Sequence, residues 1–194
     1  MVSGQEIACA SIAGVESHGM CCSEKELGIS DNHAGLMELP EDTVVGTDIC
    51  DLYAIKDTVF EVDNKSLTNR PDLWGHYGIA REFAALSGRE LKPLETVELS
   101  QFDGLDPIQI DVQDALCYRY TGLKVRNIQK KVSPVDMRIR LSYCGSRGIN
   151  LLADLTNYRM LGMGQPMHAF DCAKVDQIEV KRFEAPFQFT TLDG

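Results

Sequence analysis

The chain has 194 residues, of which 44% are hydrophobic, and its formal net charge at pH 7 is −10. This length allows a buried core in one domain or in two small ones. Its apolar runs fall well short of the roughly 20 residues of a membrane span, and its first residues lack the basic and apolar regions of a signal peptide. The sequence therefore predicts neither a membrane span nor a signal peptide, and we expect a cytoplasmic protein.

The seven cysteines are odd in number and show no CxxC spacing. This usage is typical of reduced thiols and not of a disulfide framework. Cys21 and Cys22 lie between His18 and His33, so a metal site is conceivable there. Adjacent cysteines are poorly placed to share a tetrahedral ion, and the sequence therefore predicts no metal site.

Short apolar runs separated by glycines predict short strands and turns in residues 1–52. The segment IKDTVFEVD, residues 55–63, is typical of a further strand. A helix is predicted next, with Pro71 in its first turn and Gly88 at its end. Its buried face should carry Leu73, Tyr77, Ala80 and Ala84.

Residues 93–107 are acidic and rich in turn-forming residues, as expected of a linker. The segments IQIDVQ, residues 108–113, and YRYTGLKVRNI, residues 118–128, alternate as strands do. In SPVDMRIRLSYCG, residues 133–145, Ser133 is the expected N-cap of a helix that Gly145 ends. The buried face of this helix is predicted to carry Val135, Ile139 and Tyr143.

Another helix is predicted to begin near Asn150 and to break at Gly162 and Gly164. Its core-facing residues should be Leu151, Leu155 and Tyr158. The segments IEVKRF and FQFTTL then predict the two strands of a hairpin. The final Asp193-Gly194 pair is typical of a tight turn into another strand, so we expect a piece of a longer protein. The mixture of elements predicts an α+β fold.

Positive charge is concentrated in residues 119–140, which carry seven basic residues and one acidic residue. A basic segment in an acidic chain is a candidate contact for the phosphates of a nucleic acid. The alternative is a solvated surface with no partner. The candidate residues are Arg119, Lys124, Arg126, Lys130 and Lys131.

The segment TNYRMLGMGQPMHAFD, residues 156–171, places several polar residues around a glycine-rich bend. His168 either lines a pocket or bonds to its own loop, and Gln165 stays undecided. We interpret Asn157 and Asp171 as structural residues that satisfy backbone groups. A second polar group, Asn69, Arg70 and Asp72, is better explained by capping and ion pairing at a helix start than by catalysis.

Four stretches together resemble the β subunit of bacterial phenylalanyl-tRNA synthetase, in that family's order. They are GVESHGMCCSEKELGI, VFEVDNKSLTNRPDLWGHYGIAREFAAL, CYRYTGLKV and RGINLLADLTNYRMLGMGQPMHAFD. The resemblance implies that residues 1–52 are the end of an incomplete tRNA-binding, oligonucleotide-type barrel. Residues 53–100 would then be a helical connecting segment and linker, and residues 101–194 the N-terminal half of a tRNA editing module.

The resemblance implies a part in tRNA binding and in hydrolytic editing of mischarged Tyr-tRNA(Phe). It assigns Arg147 and His168 to the editing site, although Gly148 stands where the family usually has proline. It also implies tRNA(Phe) and the synthetase α subunit as partners in an α2β2 assembly. ATP and magnesium would serve the full enzyme and would not bind here.

Two alternatives remain at this stage. The first is a non-catalytic RNA-binding or scaffold fragment with no activity of its own. The second is a free-standing hydrolase that uses His168 with Asp154 or Asp171. The second is less favoured because the sequence contains no nucleophile elbow and no metal-ligand cluster.

Overall fold

The computed structural model describes residues 6–190 and mixes helices with short strands, as expected of an α+β fold. The chain divides into two compact units, each built from two separate stretches. The first unit comprises Met1–Lys92 and Gln129–Ala169, and the second comprises Pro93–Ile128 and Phe170–Gly194. Within the described residues, no helix is long and apolar enough to cross a membrane.

The first unit begins with a β-hairpin, as the glycine-punctuated sequence predicts. Strands β1 (Ala10–Ile12) and β2 (Val15–Ser17) are antiparallel, with Ser11 opposite Glu16. The connecting residues Ala13 and Gly14 have φ values of 52° and 81°. Two successive residues with positive φ form a two-residue hairpin turn whose twist matches the right-handed twist of the flanking strands.

Four α-helices follow among the described residues of this unit. They are α1 (Ile49–Leu52), α2 (His76–Ser87), α3 (Val135–Tyr143) and α4 (Leu151–Met163). A 3-10 turn at Lys65–Leu67 and another at Pro71–Trp74 precede α2. Helix α4 packs against both α2 and α3. The buried apolar residues are Ile29, Leu73, Ile139 and Leu141.

Close backbone packing explains two glycines at the contact between α2 and α4. A Cβ atom on Gly75 would lie 2.3 Å from the backbone nitrogen of Gly164, and real Cβ atoms do not approach so closely. Gly164 is the C-cap of α4 and has a φ of 73°, which favours glycine. These glycines let the start of one helix meet the end of the other.

Several predictions for the first unit are confirmed. The predicted end of α2 is correct, because the helix is capped by Gly88, which has a φ of 63°. Its predicted start is wrong, because Pro71 lies in a separate 3-10 turn and α2 begins at His76. Helix α4 begins after Asn150, whose side chain accepts hydrogen bonds from the backbone nitrogens of Leu152 and Ala153. Arg70 forms the expected ion pair with Asp72 at 2.8 Å.

Other predictions for this unit are wrong. Residues 55–63 form no strand, and α4 continues through Gly162. Ala80 and Leu155 are exposed, so neither belongs to a buried face. Ser133 does not cap α3, because its hydroxyl donates to the carboxylate of Asp154 instead.

The second unit contains a two-stranded parallel sheet. Strand β3 (Gln109–Val112) pairs with β4 (Gln177–Val180), and Ile110 lies opposite Ile178. A 3-10 turn at Leu99–Phe102 precedes β3 within the predicted linker.

Two predictions for the second unit are wrong. Residues 118–128 are irregular, and β4 pairs with β3 and not with the described part of the FQFTTL segment. Residues 187–190 of that segment are irregular as well. The predicted turn at Asp193 and Gly194 lies outside the described residues.

Candidate functional site

Arg147 lies in the short loop that connects α3 to α4, and its side chain is exposed. The backbone is fixed on both sides of it. The Ser146 N–H donates to the carbonyl of Leu141 at 2.9 Å, and the Ile149 N–H donates to Oδ1 of Asp154 at 2.7 Å. The loop is therefore anchored while the guanidinium group faces solvent.

Asp154 is the main anchor of this loop. It is 1% exposed, and its second carboxylate oxygen accepts a hydrogen bond from the Ser133 hydroxyl at 2.5 Å. A buried carboxylate is stable only when donors satisfy it, and here a hydroxyl and a backbone N–H do so. Asp154 therefore has a structural role in this loop.

An ion pair lies beneath the same loop. Arg138 bonds to Glu24 and also donates to the Ser133 carbonyl, while the Ser30 hydroxyl donates to Glu24 at 2.6 Å. Burial of Glu24 works to raise the pKa of its carboxyl, but the bonds from Arg138 and Ser30 outweigh it and lower that pKa. These contacts tie the segment around Glu24 to α3.

Gly148 contacts this ion-paired arginine. A Cβ atom at Gly148 would lie 3.3 Å from Cγ and Cδ of Arg138 and 3.5 Å from Oδ2 of Asp154. A larger residue would require the Arg138 side chain to shift by a few tenths of an ångström. The absence of a side chain at Gly148 thus matches the close position of Arg138.

His168 follows the glycine-capped end of α4 and is exposed. Gln165 in the same bend is exposed, and Asn157 is partly buried on α4. The carboxylate of Asp171 accepts a hydrogen bond from the Ala173 N–H at 3.0 Å, which confirms a structural role for that residue.

The five basic residues are all exposed, but they belong to different units. Lys130 and Lys131 lie in the first unit, and the other three lie in the second. Arg126 forms an exposed ion pair with Asp106 at 3.2 Å. Such surface pairs contribute little to stability, so this arginine can exchange its partner for a phosphate at low cost.

The first unit also contains a cavity of about 680 Å³ that the sequence analysis missed. Its wall is mostly apolar and aromatic, with a few polar groups. The Arg140 guanidinium donates to the Tyr158 hydroxyl at 2.9 Å. The residues that combine to form this wall include Phe60, Leu73, Trp74, Ile79, Tyr143 and Leu161.

A histidine–cysteine pair lies at the cavity wall. Nδ1 of His76 is 2.8 Å from the carbonyl oxygen of Leu161, so this nitrogen carries the proton and donates. The other ring nitrogen, Nε2, faces the Cys144 thiol at 3.7 Å. Burial raises the pKa of that thiol, which keeps it protonated and poorly nucleophilic.

The potential metal ligands that lie close together in the structure differ from those that the sequence suggested. His33 bonds to the Ser23 hydroxyl, and the Cys22 thiol donates to the carbonyl of Met20. Instead, Cys9, Glu16 and His18 lie on the hairpin with their ligand atoms within 4.8 Å of one another. This is the one group of three or more such residues among those the structure describes.

Comparison with known proteins identifies the kind of domain that contains Arg147 and His168. The profile of the B3/4 domain matches residues 116–194, a range that includes both Arg147 and His168.

The chain is also similar to phenylalanine–tRNA ligase β subunits along most of its length. It is 44% identical to that of Aromatoleum aromaticum over 175 residues, which are 89% of this chain and 22% of that relative. It is 39% identical to that of Aliivibrio fischeri over 95% of this chain and 23% of the relative. For Pectobacterium atrosepticum the identity is 42%, over 97% of this chain and 24% of the relative.

These matches confirm the resemblance on which the sequence analysis relied. The chain belongs to the phenylalanine–tRNA ligase β-subunit family and spans a little under a quarter of the length of these relatives.

Proposed function

We propose that this chain acts as part of a phenylalanine–tRNA ligase β subunit, in tRNA binding and in hydrolytic editing of Tyr-tRNA(Phe). The observation that carries this proposal is the B3/4-domain match, which includes both Arg147 and His168. Residues 1–52 would be the end of a tRNA-binding barrel, and residues 101–194 the first half of the editing module.

Editing is needed because an amino-acid pocket for phenylalanine discriminates poorly against tyrosine. A hydrophobic pocket rejects an analogue that merely adds a hydroxyl by only about 100-fold, so tyrosine is mistaken for phenylalanine. A second site must therefore hydrolyse the tyrosyl ester. Such a site has to hold the ester carbonyl and position a water molecule.

His168 and Arg147 have side chains suited to these two tasks. An imidazole can donate a proton to a leaving oxygen or orient water, which typically contributes about 10²–10⁴-fold to a rate. A guanidinium offers fixed donors to a phosphate or a carbonyl. The bonds from Ser133 and Ile149 to Asp154 support the proposal, because they fix the loop that presents Arg147.

ATP and magnesium belong to the aminoacylation reaction of the whole enzyme, and the one candidate ligand group among the described residues does not suit magnesium. The single ligand group found among these residues includes a thiol and an imidazole, whereas Mg²⁺ prefers oxygen ligands. We propose that both bind elsewhere in a cytoplasmic α2β2 assembly with the α subunit, which charges tRNA(Phe).

The test is His168→Ala in the complete synthetase. Hydrolysis of preformed Tyr-tRNA should slow by about 100-fold or more, while charging with phenylalanine stays near normal. Arg147→Ala should act in the same direction, mainly by weakening binding. Arg159→Ala is the matched control, because Arg159 is also an exposed arginine near α4's end and should leave both activities intact. Parallel loss of both activities with a lowered melting temperature would show that His168 only holds its loop.

The alternative is that the isolated chain is a non-catalytic RNA-binding or scaffold fragment with no activity of its own. The chain spans about 22–24% of its relatives, so we expect the purified 194 residues neither to charge tRNA nor to deacylate Tyr-tRNA. Deacylation that disappears in a His168→Ala control would contradict this expectation and show that the site is complete within the chain.

A further inference from the structure

One face of the β1–β2 hairpin combines a thiol, a carboxylate and an imidazole. Ser11 lies opposite Glu16 and Ala10 lies opposite Ser17. Cys9 and His18 are the next residues beyond this last pair, one on each strand's flank. Alternate residues of a strand share a face, which puts Cys9, Glu16 and His18 on the same side. The Cys9 thiol already donates to Oε1 of Glu16 at 3.2 Å.

The geometry of these three side chains is close to that of a metal site. Their ligand atoms all lie within 4.8 Å of one another. Tetrahedral zinc bonds of about 2.0–2.3 Å place neighbouring ligand atoms roughly 3.3–3.8 Å apart. A contraction of about 1 Å is therefore enough, and all three side chains are exposed and free to change rotamer.

The chemical types of these three ligands determine which metal ions they favour. Thiolate and imidazole ligands favour zinc and other late first-row metals, while calcium and magnesium require oxygen ligands. Three protein ligands leave the fourth tetrahedral position for water. The short turn at Ala13 and Gly14 holds the two strands together, so the ligands on them are partly arranged in advance.

We propose that Cys9, Glu16 and His18 form a binding site for one Zn²⁺ ion, with water as the fourth ligand. This departs from the prediction of no metal site, since the sequence directed attention to Cys21 and Cys22. The cross-strand register brings His18 to a cysteine nine residues earlier, which the spacing of the cysteines alone does not reveal.

The test is titration of the purified chain with Co²⁺, a spectroscopic substitute for zinc. Binding should produce a thiolate-to-cobalt charge-transfer band and tetrahedral visible bands, saturating at one ion per chain. Zn²⁺ should displace the cobalt, because a tetrahedral site with thiolate and imidazole ligands suits zinc. In Cys9→Ala the charge-transfer band should vanish.

Two further variants test the other ligands. His18→Ala and Glu16→Gln should weaken cobalt binding by more than the roughly 10–100-fold that loss of an outer partner costs. Cys21→Ala and Cys22→Ala are matched controls and should titrate as the unaltered chain does. Circular dichroism of each variant verifies that the fold is kept.

Two results would overturn the proposal. One is the absence of a thiolate band in the unaltered chain at excess Co²⁺. The other is a band that persists in Cys9→Ala but disappears in Cys21→Ala or Cys22→Ala, which would move the site to the adjacent cysteines.

Discussion

Buried polar residues hold the loop that carries Arg147. The Asp154 carboxylate accepts from Ser133 and from the Ile149 N–H, and it thereby joins the start of α3, the loop and the start of α4. Arg138 adds a second connection through Glu24. An exposed arginine such as Arg147 can act in a defined direction only because groups that never touch a substrate hold its backbone.

The pair formed by Glu24 and Arg138 should make stability depend on pH in the acid range. The two side chains are 11% and 12% exposed, so the pair is shielded from solvent. The pKa of Glu24 is lower in the folded chain than its ordinary value of 4.5. Its stabilising contribution is therefore present above pH 4.5 and is lost as the pH falls through the lowered pKa.

We predict that Glu24→Gln lowers the free energy of unfolding at pH 7 by up to about 3 kcal/mol, because Arg138 loses its charged partner. The difference from the unaltered chain should shrink as the pH falls from about 4.5, where Glu24 of the unfolded chain takes up a proton, through the lowered pKa of Glu24 in the folded chain. Urea unfolding at several pH values measures this. Glu38→Gln, at an exposed position, is the control and should show almost no difference. A gap that stays constant with pH would contradict the prediction.

At the scale of elements, local signals were sufficient for some parts of the fold. Helices α2 and α4 were predicted because Gly88 and Asn150, which define their ends, act on neighbouring backbone groups. Ser133 has an equally good capping sequence, but its hydroxyl bonds to Asp154, 21 residues away. A contact at that distance in sequence is not visible from local spacing.

Strands were harder to predict because they need a partner. Residues 55–63 and 118–128 alternate like strands but have none among the described residues. Strand β4 was predicted, but its pairing with β3 joins Gln109 to Gln177, and local pattern does not specify it. The cavity was missed for the same reason, since segments far apart in sequence combine to line it.

The contact between α2 and α4 provides a test at this scale. Gly75→Ala should destabilise the chain by at least about 1–3 kcal/mol, because its Cβ would overlap the backbone of Gly164 and force the helices apart. Gly162→Ala is a matched control within α4, where an added Cβ meets nothing within 4 Å. That change should stabilise the chain by roughly 0.5–1 kcal/mol. Equal effects in thermal unfolding would show that the close helix contact is not required.

At the scale of the whole molecule, the net charge and the local distribution of charge have opposite effects on binding to nucleic acid. The net charge of −10 disfavours general attraction to nucleic acid, so any tRNA contact has to rely on a local concentration of basic residues. The residues from 119 to 140 provide this concentration, but they are shared between the two units. The basic residues of each unit are therefore tested separately as candidate tRNA contacts.

The last prediction concerns these basic residues in the complete β subunit. Each lysine that neutralises a phosphate releases counterions, so its loss should reduce the slope of log affinity against log salt by roughly one. We expect this for Lys130→Ala and Lys131→Ala in the first unit and for Lys124→Ala in the second. Lys92→Ala is the control, because Lys92 is exposed but lies in the acidic part of the chain.

The measurement is tRNA binding across a series of salt concentrations. Affinity should fall for the three variants at low salt and converge with the unaltered subunit at high salt, where counterion release contributes less. If only Lys130→Ala and Lys131→Ala change the slope, the first unit alone carries the contact. Unchanged slopes in all three variants would show that the basic segment is a solvated surface, and tRNA binding would then have to come from other parts of the subunit.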